Sequence, residues 1–542
     1  MPALQYDSLI TDMRLKSRAG ASTSSTRMLV AALLALTGLA LVCRASAAPQ
    51  NILLIIADDY GADSSSLYNS TNTGASLPPT PNIASLAQSG VLFRNAYANP
   101  ICSPTRACLI TGRHGFRTGI GDVVTGPESA VLTSRELTLP EVFAANAPLG
   151  YQLAQFGKWH LANGPMSPNT IGGWPYFAGI LMGGVASYTN WTKTVNGVST
   201  ASYTNYATTD LVNEATAWIQ AQTNKPWFAW VAFNAPHNPL HKPPNALCPH
   251  YTSLSGTTAD INANPRRYFE AMTEAMDTEI GRLLAAVNRT NTHIIFLGDN
   301  GTLGQVIQPP FSAARAKDTL YEGGVRVPFI VAGPAVANPG RTNDTLVHAV
   351  DVFATILDLA GISNAATLTT NVIDSQSIVP ALTGTSNLTS YVYAEKFNTN
   401  APAASDGRAL RNSQFKLIQF TGREELYDLL ADPYENTNLL SLAMTATQQA
   451  NYYSLVMRLG LYQDALTAPT ISTFTHSNNS FTVAVSRTAN TSYRLWRATT
   501  PSDFAWAPVT NASVVTNGGS LRLTDSNATS ATFFYRVEAR SP

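Results

Sequence analysis

Two pairs of oxygen-bearing residues, Asp58-Asp59 and Asp299-Asn300, each close a short apolar run. The first run is Asn51 to Ala57 and the second His293 to Gly298. Carboxylate and amide oxygens are the ligands a hard divalent cation takes, Ca²⁺ ahead of Mg²⁺. No His-x-x-x-His or cysteine pair of zinc spacing accompanies them. Two further reactive groups stand at comparable places: Cys102 and Arg106 around Pro104, and His237 after Ala235-Pro236. A single Asp-Asp pair is most simply a helix cap or a solvated loop. Two such pairs behind two buried strands, in a chain with a Cys-x-Pro-x-Arg box, point instead to a metal-assisted site. The box alone reads as a turn entering a helix, with Cys102 as a small buried residue. Pro104 fixes its own φ and biases Ser103 away from the α region.

These groups need elements that deliver them to one place. Short continuous apolar runs bounded by polar residues read as strands of a parallel sheet buried on both faces. Asn51 to Ala57, Trp227 to Phe233, His293 to Gly298 and Val327 to Val331 all have that form. Open α/β sheets place their ligands at the carboxyl ends of such strands, where the Asp pairs and His237 fall. A helix opens at Pro81 with Thr80 as its cap, and an amphipathic helix runs from about Arg267 to Val287. The alternation predicts an α/β domain over 49–385, a mostly parallel or mixed central sheet flanked by helices. From 386 to 467 the strands become short and predict a small antiparallel subdomain. Residues 468–542 alternate apolar and polar at strand period, as in Phe481/Val483/Val485, and predict a terminal β-sandwich module. That module carries no catalytic cluster and reads as a spacer or docking unit.

Composition narrows the partners. Charged residues make up 13% of the 542, the formal net charge is zero, and no basic run suits nucleic acid. Met28 to Val42 is an apolar run behind Arg14, Lys16, Arg18 and Arg27, followed by Ala45-Ser46-Ala47. This is the form of a signal peptide, and the run is shorter than the roughly twenty residues of a membrane span. Residues 1–48 are therefore expected to be an N-terminal extension and signal peptide of an exported protein, periplasmic, cell-surface or secreted, without a transmembrane anchor. Met13 and Met28 stay open as starts. Once Cys43 leaves with the signal, Cys102, Cys108 and Cys248 form no disulfide framework. An odd cysteine in an oxidising compartment asks for a special role. Cys108 and Cys248 are then buried or paired.

Read to Gly112, the box is Cys102-Ser103-Pro104-Thr105-Arg106-Ala107-Cys108-Leu109-Ile110-Thr111-Gly112. In full it resembles the signature of the type I, formylglycine-dependent sulfatases of the alkaline-phosphatase-like superfamily. The resemblance extends from residue 51 to about residue 440. It implies that Cys102 is oxidised to Cα-formylglycine by a formylglycine-generating enzyme. It also implies one Ca²⁺ held by Asp58, Asp59, residue 102, Asp299 and Asn300. Gly157-Lys158-Trp159-His160 matches a family motif that puts Lys158 and His160 in the active site. Ala235-Pro236-His237 matches the loop whose histidine contacts sulfate, and Lys317 the second sulfate-binding lysine. Leu426-Tyr427-Asp428-Leu429 with Asp432-Pro433 resembles the family's carboxyl-terminal subdomain.

The implied activity is hydrolysis of a sulfate ester, aryl or carbohydrate. A hydroxyl of the hydrated aldehyde attacks sulfur while Arg106, Lys158, Lys317 and His237 offset the negative charge. His237 with Lys317 serves the departing alcohol, and His160 takes the proton whose loss expels sulfate. One family feature, a small polar residue before the central strands, has only Ser187 as a stand-in. His241, one turn past His237, is either a supporting residue or an ordinary loop histidine. Trp174, Tyr176, Tyr188 and Trp191, in and around a Gly-rich insert, either stack on sugar rings or pack internally. Two other readings compete: a phosphonate or phosphate ester hydrolase of the same superfamily, and a non-catalytic glycan-binding protein.

Overall fold

In the computed structural model of the chain the described residues run from 49 to 540. Excepted are 71–73, 127–128, 385–390, 399–401, 461, 463–470, 478, 487–491, 499–506, 518–519 and 529–532. The expected signal peptide lies outside the described residues.

The apolar runs become the middle of a large mixed sheet. Its strands are β1 (Asn51–Ala57), β2 (Gly90–Tyr97), β3 (Gln152–Lys158), β4 (Tyr176–Ile180), β5 (Trp191–Val195), β6 (Val198–Tyr203), β7 (Trp227–Ala232), β8 (Thr292–Gly298), β9 (Phe329–Ala332) and β10 (Arg341–His348). They lie in the order β10-β2-β9-β8-β1-β7-β3-β4-β5-β6. Strand β1 pairs parallel with both β8 and β7, and β3 continues parallel on β7. Four neighbouring strands therefore point their carboxyl ends the same way. The run at Val327 to Val331 departs from the parallel expectation: β9 is antiparallel to both β8 and β2. The cause is the connection. A parallel return needs a crossover, usually a helix laid along the sheet. Between β8 and β9 the chain forms only the single turns Ala313–Arg315 and Glu322–Val325. With no crossover helix laid along the sheet, the chain re-enters beside β8 from the same end, antiparallel.

Strand β1 shows why its run is apolar throughout. Ile52, Leu54 and Ile56 enter the core on one face, and Leu53, Ile55 and Ala57 the core on the other. Period-two alternation in a strand covered on both sides leaves no position for a polar residue. Each such Leu or Ile contributes about 1.5–3 kcal/mol relative to exposure. The helix Pro265–Ala285 covers one face with Met272, Met276, Ile280, Leu283 and Leu284. The helices Cys102–Thr111 and Asp351–Leu359 cover the other, through Leu109, Ile110, Phe353 and Ile356 among others. The helix Pro81–Gln88 starts as expected, but Thr80 makes no capping bond. Its first amides instead donate to the buried Asp277 carboxylate of the long helix, Asn82 N at 3.0 Å and Ile83 N at 2.8 Å. The cap is supplied by a neighbouring element.

Beyond the main sheet, β11 (Val392–Lys396), β12 (Gly407–Arg411), β13 (Phe415–Phe420) and β14 (Arg423–Asp428) form an antiparallel meander. The helix Ala446–Leu459 packs on it through Leu455, Val456 and Leu459. A buried ionic knot ties this subdomain to the main domain. Lys416 Nζ lies 3.0 Å from Glu322 Oε1 and 2.8 Å from Glu435 Oε1, while Tyr97 donates to Glu322 at 2.8 Å.

The terminal region holds β15 (Ile471–Ser477), β16 (Ser480–Ser486), β17 (Ser492–Ala498), β18 (Ala507–Pro508), β19 (Ser513–Asn517), β20 (Ser520–Asp525) and β21 (Phe534–Arg540). They make two antiparallel sheets, β15-β16-β20-β19 and β18-β17-β21, around Val483, Val485, Leu495, Leu521 and Leu523. The next residue of β17 points the other way. Trp496 is fully buried among Tyr391, Leu455 and Leu459 of the antiparallel subdomain, with Tyr453 edge-on at 5.8 Å. One strand thus serves two cores, and the terminal sheets are packed onto the subdomain rather than tethered to it. Trp496→Ala is expected to cost about 3–5 kcal/mol at that junction, read as a lower midpoint in chemical denaturation. An unchanged midpoint would show that the two cores fold independently.

Candidate active site

The four parallel strands deliver the site. Asp58 and Asp59 follow β1, Asp299 and Asn300 follow β8, His237 lies in the loop after β7, and Lys158 ends β3 with His160 two residues on. Asp59 and His160 take the left-handed region, φ 62° and 59°, which is costly for residues other than glycine. The neighbours of Asp59 hold it there: its amide donates to Asp299 Oδ1 at 3.1 Å and Asn300 Nδ2 reaches its Oδ1 at 2.8 Å. The box forms the helix Cys102–Thr111, every residue buried, with Cys102 its first helical residue. Pro104 sits in the first turn, where its missing N–H costs nothing. Gly112 ends the helix at φ 67°, and a Cβ there would meet the Phe353 ring at 2.7 Å. Both ends of the motif are thereby explained sterically.

Charge is arranged in interlocked pairs. Arg106 Nη2 lies 2.7 Å from Asp299 Oδ2, Nε lies 3.1 Å from the same oxygen, and Nη1 donates to Lys158 O at 3.0 Å. Lys158 Nζ lies 2.6 Å from Asp58 Oδ2. Lys317 Nζ bonds Asp59 Oδ1 and stands 3.7 Å from Cys102 Sγ. His237 Nε2 is 3.9 Å from Asp59 Oδ2. Asp58, Asp59, Arg106 and Lys158 are fully buried. Burial alone would raise the Asp58 pKa, but Lys158, His237, Arg106 and Lys317 outweigh it and hold the carboxyl well below its usual range. Asp299 is pushed up to about 6 by burial and by the Asp58 charge, against the pull of Arg106 and Lys158. Burial also pushes the Cys102 thiol up despite Lys158 and Lys317. Unmodified, it is a protonated thiol and a weak nucleophile. Burial, with Lys158 and Arg106, holds His160 well below its usual value, so its imidazole is neutral.

The donor set fits a hard cation. Asp58 Oδ1, Asp59 Oδ2 and Asn300 Oδ1 are buried acceptors without a hydrogen-bond donor. Such atoms are rare in folded proteins unless an ion or water meets them. One ligand atom each from Asp58, Asp59, Cys102 and His237 falls within 4.8 Å of the others. All the residues singled out from the sequence therefore come together: Asp58, Asp59, Cys102, Arg106, Lys158, His160, His237, Lys317, Asp299 and Asn300. The supporting candidates do not join them. Ser187 bonds Thr189 within its own turn. His241 stacks on Tyr188 at 4.2 Å and pairs with Tyr206 at 3.0 Å. Trp174, Tyr188 and Trp191 are buried in the cores, not presented to a ligand.

The sequence reading missed two supports. Tyr188 Oη lies 2.7 Å from both Asn234 O and His237 O, which fixes the His237 loop. Gly183 and Gly184 run across the two histidines. A Cβ on Gly183 would meet the His160 ring at 2.5 Å, and one on Gly184 the His237 ring at 3.3 Å. The adjacent glycines were the available signal, since consecutive Gly marks close backbone approach.

Comparison with known proteins agrees with this geometry. A sequence model of the sulfatase family matches residues 50–362, and one of the N-sulphoglucosamine sulphohydrolase C-terminal region matches 315–459. The chain is 30% identical over 330 residues to arylsulfatase J of Mus musculus, covering 57% of this chain and 52% of that protein. It is 29% identical over 399 residues to N-acetylgalactosamine-6-sulfatase of Canis lupus familiaris, covering 65% and 69%. The crystal structure of Ps i-CgsB superposes with a TM-score of 0.64 at 24% identity, covering 76% of this chain and 92% of that one. The structure of BT4656 in complex with its substrate D-glucosamine-2-N,6-O-disulfate gives 0.61 at 21%, covering 76% and 97%. At these identities the two structures speak for the fold.

Arg106→Gln removes the partner of a fully buried carboxylate. The expected loss is about 3–5 kcal/mol of stability, measured by chemical denaturation. A variant as stable as the parent would mean that Asp299 is neutral and the pair carries no charge.

Proposed function

The chain belongs to the sulfatase family of the alkaline-phosphatase-like superfamily, a family of sulfuric ester hydrolases, and from that premise we propose that it hydrolyses sulfate esters through an oxidised Cys102 and one Ca²⁺. The observation that carries this reading is the meeting of Cys102 with three buried carboxylates and the cations Arg106, Lys158 and Lys317 at the carboxyl ends of the central strands. Asp58, Asp59, Asn300, Asp299 and the oxygen of an oxidised residue 102 would hold the ion. An oxidised residue 102 supplies a hydrated aldehyde as nucleophile toward sulfur, and Ca²⁺ supplies positive charge for the sulfate oxygens.

The remaining work falls to side chains whose contacts set their protonation. His160 Nε2 lies 3.1 Å from Val124 O, which requires the N–H there and leaves the lone pair on Nδ1. That nitrogen is buried without a donor or acceptor, and the imidazole is neutral. His160 Nδ1 is accordingly the base that receives a proton from residue 102. His237 has the opposite arrangement: Nδ1 lies 2.8 Å from Asn238 O and so carries the proton, with Nε2 on the side of Asp59. Its Nε2, in the doubly protonated imidazolium, is the atom that would give a proton to the departing alcohol oxygen. Lys158 and Lys317 are the cations for the sulfate oxygens, and Arg106 orients Asp299 while bonding the Lys158 carbonyl. The low exposure of the set strengthens each of these interactions.

Aryl sulfate and sulfated carbohydrate both suit this chemistry. We further propose that residues 1–48 direct export, that a formylglycine-generating enzyme matures Cys102, and that 49–385, 386–467 and 468–542 are the functional divisions. Among the described residues no helix is long and apolar enough to cross a membrane.

Cys102→Ala should lower kcat on 4-nitrophenyl sulfate by about a thousandfold, or roughly 4 kcal/mol of barrier. Mass spectrometry of the parent peptide should show the aldehyde at 102. Comparable turnover by the variant would end the proposed mechanism. Asp59→Asn should lose Ca²⁺ stoichiometry in metal analysis together with turnover. Zinc bound at unit stoichiometry and required for activity would contradict the hard-cation assignment.

A further inference from the structure

A second concave surface lies beside the site. It is a cleft of about 900 Å³ walled by the antiparallel meander, to which the terminal sheets contribute Arg494. Lys396 comes from β11, Arg408 from β12, Phe420 from β13, Arg423 from β14 and Arg494 from β17. The cleft begins one residue from the candidate active site. Lys396 Nζ lies 2.7 Å from Asp318 Oδ1 and 3.3 Å from Asp318 O. Asp318 directly follows Lys317, whose Nζ stands 3.7 Å from Cys102 Sγ. Phe397, on the same wall, packs where a Cβ on Gly121 would lie 2.4 Å from its ring. Three residues on, Val124 O holds His160.

The charges of the cleft are not balanced in the same way on both sides. Its acids are occupied by internal donors. Glu395 accepts from Phe116 N and Tyr393 Oη, both at 2.8 Å, and burial pushes its carboxyl up to about 7. Glu424 accepts from Gln419 Nε2 at 2.8 Å and from Tyr452, and Asp406 from Ala403 N at 2.9 Å. Arg423 and Arg494 are the exposed arginines of its lining. Arg423 lies over the Phe420 ring at 3.8 Å, uses Nε on Glu425 at 3.1 Å, and is half exposed. Arg494 is exposed and has no carboxylate within ion-pair distance among the described residues. Guanidinium forks match the oxygens of a sulfate group, and adjacent aromatic faces suit the C–H faces of a sugar ring. With a net charge of zero, this protein has no general affinity for polyanions to account for such a feature.

We propose that this cleft receives the sulfated chain flanking the ester to be cut, so that the substrate is a sulfated polysaccharide or long oligosaccharide. The terminal sheets then contribute Arg494 to the substrate path. This rests on the sulfatase reading for its purpose, and on the cleft alone for its binding.

The test uses the full chain, dextran sulfate with unsulfated dextran as control, and 4-nitrophenyl sulfate as a substrate too small to reach the cleft. Arg423→Ser with Arg494→Ser should weaken dextran sulfate binding at least about tenfold and leave kcat/KM on 4-nitrophenyl sulfate within about twofold. Arg423→Lys with Arg494→Lys should recover most of the binding, which a merely structural effect would not produce. Equal binding by the parent and the serine variant would overturn the proposal. So would equal binding of dextran with and without sulfate. Charge-dependent binding by a protein that never turns over 4-nitrophenyl sulfate supports the cleft and strikes at the enzymatic reading.

Discussion

Everything in this protein is arranged around the cost of keeping three carboxylates out of water. Asp58, Asp59 and Asp299 are fully buried, and an isolated buried carboxylate would lose several kcal/mol of hydration. Arg106, Lys158 and Lys317 offset that loss with contacts direct enough to fix their geometry. The pairs interlock: Arg106 binds both Asp299 and the carbonyl of Lys158, which itself binds Asp58. Removing any member leaves another without its partner. A site of this kind is rigid before any ligand enters, and preorganised charge is what acyl-type and sulfuryl-type transfers require.

That constraint explains the form of the scaffold. Buried charges need supports that do not move, and the supports are strands β8, β1, β7 and β3, adjacent, parallel and covered on both faces. A further support is the amino end of the helix Cys102–Thr111, where backbone N–H groups favour negative charge at residue 102. Strained backbone occurs in the same place. Asp59, His160 and Asp318 all sit at positive φ, and each is held by bonds from neighbouring elements. Such backbone persists only where the surroundings over-determine it.

The outer parts follow a second logic, that of shared cores. Lys416 pairs with Glu435 of its own subdomain and with Glu322 of the main domain, so the buried Glu322 depends on the subdomain for its lysine. Trp496 extends the pattern to the terminal sheets by filling the subdomain core from a strand that also builds its own. The divisions that composition marks along the chain are therefore seams of topology more than of independent folding. Arg494, on the same face of β17 as Trp496, is carried to the cleft by that same anchoring.

Much of this was legible in the residues. The runs ending in Asp58-Asp59 and Asp299-Asn300 read as strands buried on both faces, because period-two geometry leaves no polar position between two cores. Their carboxyl ends then had to hold the ligating oxygens. The Cys102 to Gly112 box carried its own helix, its proline in the first turn and its glycine at the left-handed end. Local sequence could not decide contacts between distant elements. It suggested a parallel β9, whereas the strand runs antiparallel because its direction depends on the path of the connector from β8. It named Thr80 as a cap, although Asp277, far along the chain, does the capping. It left the aromatic insert open between sugar and core, and packing buried Trp174, Tyr188 and Trp191. Residue type and spacing determined which groups could do chemistry and at which strand ends they stood. The tertiary structure alone decided their protonation and pairing, because hydration, charge and hydrogen bonds act through space and not along the chain.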